Sequence, residues 1–253
     1  MEEESFVYRL RPINDKTIEE LQKPYLWFSL RKGFNDANDA NIGIFIDKNP
    51  ILEKCLRLRY NDEGIKELKE QLDNTGICCF TKYLPSCKER SHFPNKEKTI
   101  CIKYNKNKIV KRLFESNYAI ANPFHDVVYA QSAIKLTDDG ETHIAIKSDE
   151  NGIQYESIYS LVSDPHLFDE LIYRLLSTID SKFKKQNETR IILGGRNLRY
   201  LKNGANGYEV DILQDAIEQV FVYENCPQDY VKQLRNIQYL ANKIQKMNEK
   251  VAL

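Results

Sequence analysis

With 253 residues, 42% of them apolar and 29% charged, the chain has a globular composition and ample material for a core, which excludes a disordered class. Lys plus Arg and Asp plus Glu balance at 37 each, so bulk charge argues for neither a nucleic-acid nor a membrane partner. The acidic opening MEEESFVYRL has no apolar signal core, and no apolar run approaches the roughly 20 residues that span a bilayer, so the expectation is a cytoplasmic protein.

In chain order, FVYRL reads as a short strand, and Asn14 or Asp15 can cap a helix to about Lys23 with Ile18 and Leu21 on its buried stripe. Pro24 stops that helix, YLWFS is an aromatic strand, and a polar loop rich in Asn and Asp follows. Residues 50–73 read as helical, with Ile65, Leu68 and Leu72 on one face, and lead to the strand GICCFTK. An irregular segment, 83–98, precedes the strand TICIKY and a helix over 106–116. DVVYAQSAIKL and THIAIK predict a hairpin around Asp138-Asp139-Gly140. Leu167, Leu171, Leu175 and Ile179 predict an amphipathic helix over 166–184. Next come the strand within NETRIIL, a Gly/Asn-rich loop to 207, the strand QVFVYE and a closing amphipathic helix over 228–249. That order gives a single α+β domain over 1–253, with a mixed, mostly antiparallel sheet flanked by helices.

The six cysteines form no CxxC pair and match no familiar zinc spacing, so the reading is reduced, mostly buried thiols and no metal site. Polar groups gather in four places: Arg9 and Arg11, Ser29, the run Asn35-Asp36-Asn38-Asp39, and Gln186, Glu188 and Arg190. In an extended chain the last three share a face. Each gathering also has a plain explanation: Arg9 covering a sheet edge, Ser29 ending a strand, the Asx run forming turns, and Glu188 with Arg190 as a surface ion pair. His92, in RSHFP, is a candidate catalytic imidazole, and the basic group around 182–202 suits either a phosphate-bearing ligand or a solvated helix end.

The sequence YRLRPIN, LWFSLRKGFNDAND, CCFTKY, RSHFP, TICIKYN, HDVVYA, NETRII and EQVFVYENC, in that order, resembles an uncharacterised bacterial family, catalogued as a domain of unknown function and found among suspected phage-defence genes. The similarity runs over about residues 6 to 245, and LWFSxxxxFND is its most specific piece. Ala37, Asn38, Arg90, Phe93 and Gln186 depart from the family pattern, the last replacing the first Glu of a late ExExR.

The order of an arginine, a serine and a late Gln-x-Glu is also similar to the arginine–serine–glutamate class of ADP-ribosyltransferases. That resemblance implies NAD as substrate, with Arg9 on its pyrophosphate, Ser29 on the ribose, Glu188 stabilising the oxocarbenium-like transition state and Gln186 orienting the acceptor. Arg11, Asn35, Asp36 and Arg190 complete the expected NAD-binding set, with His92 beside the catalytic group. The acceptor would be an unspecified macromolecule, in a toxin or phage-defence effector acting alone or with a protein partner. Two alternatives stand beside it. One is a non-catalytic sensor or regulatory partner in a defence or stress operon. The other is a metal-dependent nuclease using Asp36, Asp39, Glu188 and His92, which no spacing supports.

Overall fold

The computed structural model describes residues 5–30, 34, 53, 57, 61–93, 98–118, 123–131, 134–138, 140–158, 160, 173–194, 203–204 and 206–247. Its first strand, β1 (Phe6–Pro12), leads into α1 (Asp15–Gln22). Asn14 caps that helix by accepting from the Thr17 amide at 3.0 Å, and β2 (Tyr25–Leu30) begins straight after Pro24. Further along lie α2 (Asp62–Asp73), β3 (Gly76–Thr81), β4 (Thr99–Asn105) and α3 (Lys106–Glu115), the last capped by Asn105. The second half carries β5 (Phe124–Asp126), β6 (Val128–Tyr129), β7 (Ile134–Leu136), β8 (Thr142–Asp149), β9 (Gly152–Ser157), β10 (Thr178–Ile179), β11 (Glu188–Leu193), β12 (Asn203–Gly204), β13 (Gly207–Asp211), β14 (Ile217–Tyr223), α4 (Gln228–Asn236) and β15 (Ile244–Met247).

Ten of these strands form one mixed sheet, antiparallel except where β15 runs parallel to β14. Its centre is a fork. One edge of β3 is taken along its whole length by β11, Glu188 opposite Thr81 through Leu193 opposite Gly76. The other edge is shared: β2 pairs at Ser29↔Ile77 and Leu30↔Gly76, and β1 pairs at Tyr8↔Thr81. From there β2 carries β13 and β12, while β1 carries β4, β14 and β15. Between β1 and β2 the ladder is therefore interrupted, and backbone groups there need other partners.

The two faces of this sheet differ. One bears Val7, Leu26, Phe28, Phe80, Ile102, Tyr104, Ile191 and Val220, packed against Ile18 and Leu21 of α1, Ile109 and Leu113 of α3, and Val231 and Leu234 of α4. This is the main core, where truncating a fully buried leucine such as Leu21 costs about 2–5 kcal/mol. The other face carries a smaller cluster of Cys101, Phe221 and Tyr223 under Leu84, Cys87 and Met247. Two small sheets accompany the large one, β7-β8-β9 and the parallel pair β10-β6.

Several expectations need correction. The closing helix stops at Asn236; a 3₁₀ turn, Gln238–Leu240, and β15 take its place. The apolar positions 234, 237, 240, 244 and 247 suit a helix, but the open edge of β14 offers Lys243–Met247 a ladder, with the Val220 amide on the Lys243 carbonyl at 2.8 Å. Ile244 then packs on the main core and Met247 on the opposite cluster, as an odd separation in a strand requires. The expected long strand over 126–136 is broken into β5, β6 and β7, although the β7–β8 hairpin does form, with Gly140 at φ 83 in its turn. The described part of the expected 166–184 helix ends near residue 176, followed by β10 and a 3₁₀ turn, Ser181–Gln186. Strands β9 and β13 have no counterpart in the expected element order.

Candidate functional site

The lead-in to β11 departs from the expected extended chain. Gln186 closes the 3₁₀ turn, and Asn187 adopts the left-handed region at φ 47, so Gln186 does not share a strand face with Glu188. Instead its Nε2 donates to the His92 carbonyl at 2.6 Å, and its own carbonyl accepts from Thr81 Oγ1 at 2.8 Å. Gln186 and His92 are thus brought together, but through the His92 backbone, while the imidazole belongs to an exposed residue.

Glu188 and Arg190 do share a face, and they are no surface pair. Arg190 is fully buried, its Nε and Nη2 donating to Glu188 Oε2 at 3.3 and 3.1 Å and its Nη1 to the Leu176 carbonyl at 2.8 Å. The Glu188 side chain is 13% exposed, and its backbone amide donates to Tyr129 Oη at 2.5 Å. Burial raises the Tyr129 hydroxyl above its ordinary range, so it stays a neutral donor and acceptor. His125 sits opposite Arg190 on β5 and stacks on Tyr173 at 4.5 Å between ring centroids. The arrangement is a buried clasp binding β11 to the segment around Leu176.

Arg9 and Arg11 lie elsewhere. Glu188, Thr81 and Tyr8 are direct cross-strand partners and share one face, so Arg9, the next residue, points to the opposite face. There its Nη2 donates to the Trp27 carbonyl at 3.1 Å, filling the fork between β1 and β2, and its Nη1 lies 3.7 Å from Glu20 Oε1. Arg11 Nη2 is 2.5 Å from Glu20 Oε2, and Glu20, on α1, is only 1% exposed. An Arg–Glu–Arg triad thus sits inside the main core, beside Tyr104 and the Cys78 thiol, which burial pushes up to about 11.

Ser29 occupies the Glu188 face, but Ile77, its partner on β3, is four residues from Thr81, roughly 13 Å along the strand. Its other neighbour is Gly207, where a Cβ would come within 2.4 Å of the Phe28 carbonyl and 2.6 Å of the Trp27 ring, so the close approach of β13 to β2 requires glycine. The NAD-binding candidates Asn35 and Asp36, and Asp39 of the nuclease set, lie outside the described residues.

The structure therefore joins Glu188 to Arg190, Gln186 to His92, and Arg9 to Arg11, but places Arg9 and Glu188 on opposite faces. Sequence reasoning missed Glu20 and Tyr129. Glu20 stands one helical turn after Thr17, another buried polar group, yet nothing in EELQ marks which glutamate turns inward. Among the described residues no three His, Cys, Asp or Glu side chains gather to hold a metal ion, and no helix is long and apolar enough to cross a membrane. Cys78, Cys101 and Cys226 are buried free thiols. No protein-family model, curated protein or solved structure matches the chain.

Proposed function

We propose that this chain is a non-catalytic module, a sensor or regulatory partner of the kind expected in a defence or stress operon. The observation that supports this reading is the fate of the residues an ADP-ribosyltransferase would need. Glu188 is tied to a fully buried arginine. Gln186 is turned away to hold a carbonyl. Arg9 faces a buried glutamate on the far side of the sheet. A transferase site needs its arginine and its glutamate within reach of one dinucleotide, and a catalytic carboxylate free to meet the ribose. Here the same residue types serve packing and sheet closure.

The test is NAD binding and turnover. Ligand-observed NMR or calorimetry at millimolar NAD should show no saturable binding, and purified protein should leave NAD intact. NAD consumption by the wild type that disappears in Glu188→Gln would overturn the module reading and restore the transferase.

A further inference from the structure

Arg90, in the 3₁₀ turn Glu89–His92, is 7% exposed, and its guanidinium carbon lies 3.7 Å from the Tyr223 ring centroid. Its Nε and Nη1 are shielded from solvent, and among the described residues they have no hydrogen-bond partner and no carboxylate pairs with the side chain. Arginine keeps its charge at any ordinary pH. Stacking on an aromatic ring offsets part of the cost of burying it, but leaves the two donors unmet.

The turn itself is firmly held. Tyr223 Oη donates to the Pro85 carbonyl at 2.9 Å, and Gln186 Nε2 holds the His92 carbonyl at 2.6 Å. Glu89, the adjacent acid, accepts from the Ser86 amide at 2.9 Å while its own amide donates to Ser86 Oγ at 3.2 Å, a reciprocal cap that fixes this carboxylate to Ser86. A rigid turn thus presents a buried cation whose neighbouring acid is engaged elsewhere. Exposed Lys88 stands in the same segment, and exposed Lys184 and Lys185 stand on the 3₁₀ turn that packs against it. The local surplus is positive.

We infer that Arg90 is the receptor for a small phosphate-type oxyanion, seated beside Tyr223 where the 84–93 turn crosses the sheet. A multiply charged oxyanion fits better than a carboxylate, because it answers both the unmet guanidinium donors and the positive charge of the lysines on these two turns. The inference goes beyond the module reading and does not rest on it, since such a receptor would stand equally in an enzyme.

Thermal unfolding in phosphate and in chloride at matched ionic strength tests it, using the wild type and Arg90→Met. Phosphate should raise the wild-type midpoint with the logarithm of its concentration and leave Arg90→Met unmoved. In chloride, Arg90→Met should be at least as stable as the wild type, because it removes an uncompensated charge. Nitrogen-detected NMR of the wild type should show the Arg90 Nε resonance moving with phosphate, a readout that survives if the variant fails to fold. Equal midpoint shifts in both proteins, an immobile Arg90 Nε, or acetate matching phosphate would each overturn the assignment.

Discussion

Arg190 and Arg90 occupy the same face of the large sheet and are buried almost alike, at 0% and 7% exposure, yet their surroundings are opposite. Arg190 has acceptors for Nε, Nη1 and Nη2: Glu188 on its own strand and the Leu176 carbonyl across from it. Arg90 has an aromatic ring beneath it and, among the described residues, two buried donors without a hydrogen-bond partner. A buried guanidinium whose acceptors are all supplied by the chain is a structural device, and it leaves little for a ligand to gain. One whose acceptors are missing is where a ligand would find an energetic advantage. The motif arginine, Arg190, is satisfied by the chain itself, whereas Arg90, outside the motif, keeps two buried donors without a hydrogen-bond partner among the described residues.

Substitutions separate the satisfied arginines from the unsatisfied one. The largest effect belongs to the core-facing triad. Glu20→Gln would leave two guanidinium groups, 11% and 19% exposed, without their anion, and should cost about 3–5 kcal/mol in urea unfolding. Arg190→Met should come next, at about 3 kcal/mol, because it removes the buried ion pair with Glu188 and frees the Leu176 carbonyl. A loss below about 1 kcal/mol would mean that the clasp is no more satisfied than Arg90. Gln186→Ala removes one bond to the His92 carbonyl and should cost about 1 kcal/mol, loosening the turn that carries Arg90 and blunting its phosphate response.

The smallest effect concerns pH. Hydrogen bonds from the Ser86 amide and side chain hold the Glu89 carboxyl below its ordinary range. Its contribution is therefore present above the unfolded carboxylate pKa and is lost as pH falls through the lower folded value. Glu89→Gln should reduce stability by no more than about 0.5 kcal/mol at neutral pH, solvent screening included, and the difference should vanish in acid.

Local signals were legible where one residue type decides. Asn14 caps α1, Pro24 ends it, the Gly140 turn closes the β7–β8 hairpin, and short apolar, β-branched or aromatic runs mark β2, β3, β4 and β14. Long-range choices were not legible. The stripe from Leu234 to Met247 fits a helix as well as a helix-then-strand, and only the open edge of β14 decides between them. The alternation of Gln186, Glu188 and Arg190 held for the last two and failed for the first, because Asn187 tolerates a left-handed turn that spacing cannot reveal. Facing is likewise a property of register: Arg9 and Glu188 separate because Tyr8, not Arg9, is paired with Thr81.

Glu188 closes an internal clasp with Arg190. A double-mutant cycle with Glu188→Gln, Arg190→Met and the pair, read by urea unfolding, tests it most directly. Strong coupling is predicted, on the order of 2–3 kcal/mol, so that the double variant is little less stable than Arg190→Met alone. Additive effects, with a Glu188→Gln variant as stable as the wild type, would show a carboxylate that the fold does not use and would rule out the clasp.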